Sequence, residues 1–522
     1  MRSQYRVMMI GLLLCVLTVL PTAAQEKVFF PTTEWRTSTP EEQGMNSAEL
    51  ASLFENFSQK EFNLDSLMVV RHGYVVAEAY ASPFQQDMKH QMYSASKSVT
   101  SALIGILLQQ GTIKSLETPV LSFFPDMTVQ NLDENKKAMT LGNLISMSSG
   151  LDCDDLATAN ATTNSMFSSK DWLQFTLDLP MASKPGTEFH YCNPATYLTS
   201  AIVTKLTDMS ALDFAAKSLF KPLGITDYAW ASSPQGISFG FADLQLTARD
   251  MAKFGYLYLN GGQWDGVQLI PADFVTASLH PVVSTPWPST SYGYFWWTND
   301  DLGQAQALGW GGQYILVSPA QDTVAVLTGG YTENIRVATH VFPFQMQIAS
   351  LSVSEKALPA NSDALDQLVN VINRIENPTS VAVRPAPVVA SKVTNQAYNL
   401  MSPFMMSAFG ASGMLNAKPV TGMRFDFSDD KQTKLTFTFA DGQEWTASAD
   451  MSGVYKVTEG PFGPLGIRGE WLSDDTFCLF MKNVGDAQLN RLEVSFVPGA
   501  VNVIGGEYVG GWAFALQGLA AQ

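Results

Sequence analysis

The first 350 residues carry strand-like segments at both ends and helix-like segments between them, and this order restricts the folds that the chain can adopt. The early strands form a predicted hairpin that turns at His72-Gly73, in the run SLMVVRHGYVVAEAYAS. Strand patterns return in SYGYFWWTND, GQYILVSP and DTVAVLTGG. Because helices fill the interval, the pattern predicts an α+β domain whose sheet is closed by its first and last strands.

The rest of the chain follows a different pattern, in which apolar residues recur in steps of two. Segments such as MRFDFS, KLTFTFA and RLEVSFV are separated by turn-forming residues. We therefore predict a C-terminal β-rich domain over residues 395–522, preceded by a helix and a proline-containing linker at 353–394. The first domain then spans residues 25–352. We interpret the β-rich domain as a stabilising or docking module, with a role in shaping a substrate mouth as the alternative.

Residues 1–24 are typical of a cleaved export signal. Arg2 and Arg6 precede a 14-residue apolar run, and small residues follow up to Ala24. A membrane span needs about 20 apolar residues, so we expect no stable span after cleavage and a periplasmic or secreted product. The formal net charge of the full sequence is −17, which argues against binding to nucleic acid.

Ser94 and Lys97 form one of three Ser-x-x-Lys pairs in the sequence. After Lys97 the apolar residues recur at helical spacing, at Val99, Ala102, Leu103, Ile106 and Leu107. This pattern places Ser94 in the first turn of a buried helix, where free backbone N–H groups can face a developing oxyanion. Lys97 lies one turn further on and can reach the Ser94 hydroxyl. Ser94 is therefore a candidate nucleophile.

The other two Ser-x-x-Lys pairs have structural explanations. Ser218 and Lys221 lie in an amphipathic helix that ends near Pro222. Ser428 and Lys431 lie in the turn SDDK between two alternating strands. We expect neither pair to be catalytic.

Two further motifs could complete a site around a nucleophilic serine, which needs a base for its proton and donors for the oxyanion. In PGTEFHYCNPATYL, Tyr191 and Asn193 stand just before an amphipathic helix. In LGWGGQYILVSP, Gly309, Gly311 and Gly312 remove side chains from the start of a strand. A substrate can lie against such a bare backbone edge.

Together the three motifs carry a family resemblance. Ser-Ala-Ser-Lys at 94–97, Tyr-Cys-Asn at 191–193 and Trp-Gly-Gly at 310–312 resemble those of the serine β-lactamase and penicillin-binding-protein-like hydrolases. The resemblance is strongest to the class C β-lactamase branch, with its esterase and 6-aminohexanoate-dimer hydrolase relatives. It implies a β-lactamase/transpeptidase-like antiparallel sheet with flanking helices and a helical subdomain. It also implies a serine hydrolase that acts on a small ester or amide, and together with the export signal this predicts an exported enzyme without a cofactor.

The resemblance assigns a role to each motif residue. Ser94 becomes the acylated nucleophile, and Lys97 lowers its proton affinity. Tyr191 becomes the general base and then the proton donor to the leaving group, a task that we assign jointly to Lys97 and Tyr191. The oxyanion hole is formed by the backbone N–H groups of Ser94 and Gln313. The implied substrate-binding residues are Asn193, Trp310, Gly311, Gly312 and Gln313.

Trp310 departs from the family pattern, because many members carry lysine or histidine at this position. A cation there pairs with the carboxylate of a β-lactam or a D-alanyl peptide, which an indole cannot do. The departure favours esters or amides without that carboxylate, with Trp310 as an apolar surface. A β-lactamase or D-alanyl-D-alanine carboxypeptidase is the alternative, as is a non-catalytic binding protein on the same fold.

The cysteines and histidines bear on a disulfide and on metal binding. Cys153 and Cys192 flank candidate site loops, so export would favour a bridge between them and leave Cys478 free; three buried thiols are the alternative. The five histidines form neither an HExxH nor an HxH motif, and we therefore expect no metal site.

Two other enzyme classes are weaker hypotheses. An α/β-hydrolase could use Ser238 in the G-x-S-x-G run at 236–240, although a poor strand precedes it. A glycosidase could use Asp154 and Asp155, although adjacent aspartates in a loop are expected to face solvent.

Overall fold

The computed structural model describes residues 28–59, 62–330, 341–407, 417–507 and 513–521, and the statements below concern these ranges. The predicted export signal at 1–24 lies outside them. Every described helix is too short or too polar to cross a bilayer. The helices are α1 (Ser47–Phe57), α2 (Ser96–Gln109), α3 (Glu134–Ala138), α4 (Leu141–Ile145), α5 (Ala161–Ser168), α6 (Trp172–Asp178), α7 (Asn193–Thr207), α8 (Ala211–Ala215), α9 (Lys221–Leu223), α10 (Ala248–Leu259), α11 (Ala272–Leu279), α12 (Val341–Ser350), α13 (Ser362–Glu376) and α14 (Val388–Val393).

The first domain is built on a mainly antiparallel sheet. Its strands, with two small accessory sheets, are β1 (Arg36–Thr37), β2 (Leu64–Arg71), β3 (Tyr74–Tyr80), β4 (His90–Gln91), β5 (Ala229–Trp230), β6 (Leu244–Leu246), β7 (Gln263–Trp264), β8 (Val267–Gln268), β9 (Val283–Ser284), β10 (Ser291–Tyr292), β11 (Trp297–Asn299), β12 (Gln304–Gly309), β13 (Gln313–Ser318) and β14 (Thr323–Gly329). The main sheet has the order β1-β3-β2-β14-β13-β12-β11-β10-β9. The last strand, β14, pairs with the early strand β2, so the predicted closure of the sheet is confirmed.

The β2–β3 hairpin turns where the sequence predicts it. His72 and Gly73 have φ angles of 50° and 77°, the left-handed geometry that two-residue hairpins favour because it matches strand twist. The hairpin thus sets the register in which β2 meets β3.

The sheet is buried on both faces. Met68 and Val70 face the core shared with α2 and α10, while Leu67 and Val69 face the core shared with α1 and α13. This alternation follows from the two-residue period of a strand. The segments between β4 and β6 contain α2 to α9 and form the predicted helical subdomain, and the fold is of the predicted α+β class.

The C-terminal domain is barrel-like. Its strands are β15 (Ala397–Met406), β16 (Lys418–Asp429), β17 (Gln432–Phe439), β18 (Glu444–Asp450), β19 (Lys456–Gly460), β20 (Gly463–Trp471), β21 (Thr476–Asn483), β22 (Leu489–Val497), β23 (Ala500–Glu507) and β24 (Ala513–Ala520). The order is β18-β17-β16-β15-β24-β23-β22-β21-β20-β19, and a contact between β18 and β20 curls the sheet on itself. Its interior contains many aromatic residues beside aliphatic ones, among them Phe425, Phe427, Phe477 and Phe496.

The region 353–394 divides between the two domains. Leu368 and Val371 of α13 pack into the core beside the main sheet. Further on, Arg384 donates to the carbonyl of Trp471 at 3.1 Å and pairs with Asp474 on the barrel-like domain. The helix therefore belongs with the first domain and the proline-containing segment with the second.

Candidate active site

Ser94 lies at the point where the chain enters α2. It is the middle residue of a 3-10 turn, Tyr93–Ala95, that runs directly into that helix, and it is half-buried. The preceding residue, Tyr93, has a φ of 48°, a left-handed conformation that costs a side-chain-bearing residue about 1–2 kcal/mol. Neighbouring contacts must therefore hold this turn in place.

Lys97 points at the candidate nucleophile. Its Nζ lies 2.9 Å from Ser94 Oγ and 2.8 Å from the carbonyl oxygen of Phe241. Its side chain is fully buried, and burial lowers the pKa of Lys97 well below its ordinary value, although Asp155 opposes this. The structure thus favours a neutral amine that can accept a proton from Ser94.

Tyr191 completes the group around Ser94. Its ring lies 4.7 Å from Lys97 Nζ. Burial raises the pKa of Tyr191 above its usual range, and a hydrogen bond with Ser94 only partly offsets this. The phenol therefore stays protonated at neutral pH, which makes it a proton donor in the resting site.

Asn193 begins α7 and is held from two directions. Its backbone N–H donates to Asp155 at 2.9 Å, and its amide nitrogen donates to Thr163 at 3.1 Å. Its Oδ1 is buried and makes no hydrogen bond within the described residues. A substrate N–H or a protonated Lys97 could use this acceptor, which fits the predicted orienting role.

The expectation that Asp154 and Asp155 face solvent is wrong for Asp155. Its carboxylate is buried and accepts from Thr163 Oγ1 at 2.7 Å and from Thr163 N at 3.1 Å. Both oxygens are thus occupied, and the carboxylate joins α5 to the start of α7. This arrangement gives no support to the glycosidase hypothesis.

Cys153 and Cys192 are joined by a disulfide with a Cα–Cα distance of 5.4 Å. Cys192 stands between Tyr191 and Asn193, so the bridge ties this segment to the loop at Cys153. Cys478 is a buried free thiol inside the barrel-like domain.

The turn between β12 and β13 approaches the nucleophile from the other side. A side chain on Gly309 would place its Cβ 2.2 Å from the carbonyl oxygen of Met92. Gly311 and Gly312 have φ angles of 76° and 98°, which favour glycine. Gln313 fastens the turn, because its amide nitrogen donates to the carbonyl of Gly329 at 2.7 Å. The glycine-rich turn between β12 and β13 therefore lies beside the Ser94 turn, as an oxyanion hole requires.

Trp310 projects from the same turn and is half-buried. Its ring packs against Tyr93 with 5.2 Å between centroids, and Ala487 of the barrel-like domain joins this small cluster. The Tyr93 hydroxyl donates to the carboxylate of Asp486. Sequence analysis missed Asp486 and Ala487, because the stretch NVGDAQ has the composition of an ordinary turn between strands.

An aromatic cluster, Phe189, Trp287 and Trp297, continues outward from Tyr191. The Tyr191 and Trp297 rings stack with 6.0 Å between centroids and an interplanar angle of 20°. Phe189 and Trp287 each lie 5.8 Å from the Trp297 ring, and all three cluster residues are half-buried. The cluster gives the site an apolar surface next to its proton donor.

The competing motifs lie elsewhere. Ser238 is buried, and its Oγ accepts from the backbone N–H of Leu212 at 3.2 Å. This is a packing role rather than an exposed nucleophile elbow. In the part of the chain that the structure describes, no three His, Cys, Asp or Glu side chains are grouped as metal ligands.

Comparison with known proteins finds one matching family and several related proteins. A sequence model of the family described as Beta-lactamase matches residues 50–334. The 6-aminohexanoate-dimer hydrolase of Paenarthrobacter ureafaciens is 27% identical over 311 residues, which cover 55% of this chain and 79% of that protein. Beta-lactamase-like protein 2 of Dictyostelium discoideum is 25% identical over 241 residues, which cover 40% of this chain and 42% of that protein.

A solved structure shares the fold. EstCE1, described as a hydrolase with promiscuous acyltransferase activity, superposes with a TM-score of 0.50 at 16% identity. The superposition covers 58% of this chain and 98% of that chain.

Proposed function

This chain belongs to the beta-lactamase family, and from that premise we propose that it is an exported serine hydrolase that cleaves small neutral esters or amides. The observation that carries the proposal is the meeting of a buried lysine and a buried tyrosine beside one serine. Lys97 Nζ lies 2.9 Å from Ser94 Oγ, and the Tyr191 ring lies 4.7 Å from Lys97 Nζ. The relatives named as hydrolases support hydrolase chemistry.

Acylation begins with the neutral Lys97 amine. It takes the Ser94 proton as Oγ forms a bond to the substrate carbonyl carbon, and the carbonyl π electrons move to oxygen. The backbone N–H groups of Ser94 and Gln313 then stabilise the oxyanion.

Tyr191 serves the departing group. Its protonated phenol donates to the leaving oxygen or nitrogen as the bond to carbon breaks, and Lys97 returns its extra proton to the tyrosine oxygen. Water enters next and loses a proton to the Lys97–Tyr191 pair. It attacks the acyl carbon, and Ser94 leaves with its proton restored. Both proton carriers end the cycle as they began it.

The surface around the site supports an uncharged substrate. Trp310 and the aromatic cluster border the reactive group with apolar rings, and neither supplies the cation that a substrate carboxylate needs. Burying an unpaired carboxylate costs a few kcal/mol at least, roughly a hundredfold in rate. The name of the Paenarthrobacter relative, a hydrolase of an amide dimer, supports linear amides alongside esters.

Export rests on two features. Residues 1–24 have the composition of a signal, and the bridge between Cys153 and Cys192 is of a kind that persists in oxidising compartments. Fractionation of producing cells tests this point, since a cytoplasmic product with three alkylatable thiols would contradict it.

The enzymatic proposal is tested with the full-length wild type and two serine variants. A fluorophosphonate should label the wild type and Ser238→Ala but leave Ser94→Ala unlabelled. A panel of p-nitrophenyl esters, linear amide dimers, D-alanyl peptides and a chromogenic cephalosporin then ranks the substrate classes. Labelling of Ser94→Ala at the wild-type rate would show that Ser94 is not the nucleophile. A cephalosporin turned over as fast as the best ester would favour a β-lactamase.

A further inference from the structure

We propose that the barrel-like domain supplies a positioning residue to the active site: Asp486 holds Tyr93, and through it orients the adjacent Ser94 and the neighbouring Trp310. This inference rests on the proposed role of Ser94 as nucleophile. It assigns to the second domain a part in catalysis, which the position of the motifs before residue 353 does not predict.

The turn between β21 and β22, residues 484–488, is inserted into the first domain. The backbone N–H of Gln91 donates to the carbonyl of Gly485 at 2.8 Å. A side chain on Gly485 would place its Cβ 2.3 Å from the carbonyl oxygen of Lys89. The inserted turn thus lies in backbone contact with the segment that leads to Ser94.

The same turn meets two more parts of the site. A side chain on Gly311 would bring its Cβ within 2.5 Å of Ala487 Cβ, next to Trp310. A side chain on Gly330 would lie 2.1 Å from the Ala487 carbonyl oxygen, just past the end of β14. The inserted turn is therefore held on three sides, and glycines in the first domain make the space for it.

The hydrogen bond from Tyr93 to Asp486 acts on a backbone that needs support. Tyr93 has a left-handed φ of 48°, and its backbone N–H donates to Gln91 Oε1 at 3.2 Å. Fixing the ring through its hydroxyl fixes the rotation of the 3-10 turn that carries Ser94. A displacement of about 1 Å at a reacting atom can cost roughly a hundredfold in rate.

A second contact anchors the inserted turn from behind. Lys482, at the end of β21, forms an ion pair with Asp65, and His90 Nε2 lies 3.0 Å from the other oxygen of that carboxylate. All three side chains are at least 97% buried. Breaking a buried pair is costly because it leaves one charge uncompensated, so this anchor is a built feature of the interface.

The groups around Asp486 are consistent with an acceptor. Burial raises the pKa of Asp486 to about 6, against the opposing effects of the Tyr93 hydrogen bond and His90, while Asp243 adds to the rise. The group is therefore ionised at neutral pH and accepts a charge-assisted hydrogen bond from the phenol.

The test uses point variants of the full-length protein. Asp486→Ala and Tyr93→Phe each remove one partner of the hydrogen bond, and the double variant removes both. We expect each single variant to lower kcat for a p-nitrophenyl ester by about tenfold or more, with KM changed less than about threefold. The double variant should be no slower than the slower single variant, because both changes break one contact. Asp486→Asn, which keeps an oxygen acceptor, should recover part of the rate.

Asp474→Ala provides the matched control. It removes an exposed aspartate of the same domain and should leave kcat unchanged. Three results would overturn the inference. They are a wild-type kcat in Asp486→Ala, additive losses of activity in the double variant, or a loss of activity that equals the unfolded fraction seen by circular dichroism. If fluorophosphonate labels a serine other than Ser94 in the wild type, the proposed function and this inference both fail. If Ser94 is labelled at equal rates in the wild type and in Asp486→Ala, this inference is wrong and the proposed function still stands.

Discussion

The active site has two sides that are built in different ways. The reactive side, Lys97, Tyr191, Asn193 and Asp155, comes from one stretch of about 100 residues and is braced by a disulfide of sequence separation 39. The supporting side, Tyr93, Trp310, Asp486 and Ala487, combines the sheet edge with a turn from the second domain, and its hydrogen bond spans 393 residues. The groups that transfer protons are thus positioned by local structure, whereas the shape around the nucleophile depends on contacts between distant parts of the chain.

The largest expected effect belongs to the reactive side. Lys97→Met keeps the shape of a buried side chain but removes the proton acceptor, so we expect kcat to fall by roughly a thousandfold or more. The melting temperature should stay the same or rise, because a buried amine is replaced by an apolar group. Stopped-flow acylation and calorimetry measure both. If activity survives while stability falls, Lys97 is a structural residue and the comparison fails.

The ion pair between Lys482 and Asp65, which anchors the inserted turn, should respond in stability instead. Lys482→Met leaves Asp65 buried without its cation and should cost about 3–5 kcal/mol of the free energy of unfolding. Asp65→Asn in the same chain should recover much of that loss. Arg384→Met breaks an exposed pair with Asp474 and should cost at most about 1 kcal/mol. Equal effects at Lys482 and Arg384 in urea unfolding would mean that the domains are not coupled by this anchor.

The pH dependence of acylation tests whether Lys97 on the reactive side accepts the proton. Because burial lowers the pKa of Lys97 well below its ordinary value, its neutral form is present at a lower pH than that of an exposed lysine. We expect kcat/KM to fall as pH drops through that pKa, by about tenfold per unit at the limit, and to level off above it. A rate that keeps rising towards pH 10 would indicate an ordinary lysine instead. The residual activity of Lys97→Met, measured in parallel, should not show this fall at low pH.

Substrate choice belongs to the supporting side. Trp310→Lys should narrow the gap between an aryl acetate and a chromogenic cephalosporin by about tenfold, since a cation can now pair with the carboxylate. Trp310→Leu removes the ring without adding charge, so the gap should stay wide. The ratio of the two kcat/KM values is the measurement, and an equal narrowing in both variants would point to space rather than charge.

The smallest effect is expected at the outer edge of the aromatic cluster. Trp287→Leu should raise KM for aryl esters by about threefold while leaving kcat unchanged, because the ring contacts Phe189 and Trp297 but not the reacting atoms. Alkyl esters of the same acid should be affected less. A fall in kcat for both ester types would place Trp287 closer to the chemistry than we infer.

The sequence limits the positions of Ser94, Lys97 and Tyr191 for a physical reason. Ser94 and Lys97 are one helical turn apart, and Tyr191 precedes a helix that begins at Asn193, so short-range geometry already limits where these groups can point. The hairpin at His72-Gly73 and the closure of the sheet are predictable because turn chemistry and strand periodicity are local signals.

The supporting side is not predictable in this way. Asp486 sits in a polar turn whose spacing carries no sign of Tyr93, since the contact depends on how two domains dock. Asp155 is missed for a related reason: an aspartate in a loop is expected in solvent, but Thr163 and Asn193 enclose it once α5 and α7 pack. Packing of distant segments, rather than any residue preference, decides both cases.

The inserted turn also has a consequence for synthesis. A ribosome releases the Ser94 segment long before it makes residues 484–488, and β2 must wait for β14 before its edge is covered. Contacts of such long range form late, because the entropy cost of closing a large loop must be met before the contacts can stabilise the chain. An unfinished chain can therefore hold the reactive groups without the support behind Tyr93. On the proposed role of Asp486, the turn that carries Ser94 becomes fully ordered only after the barrel-like domain docks.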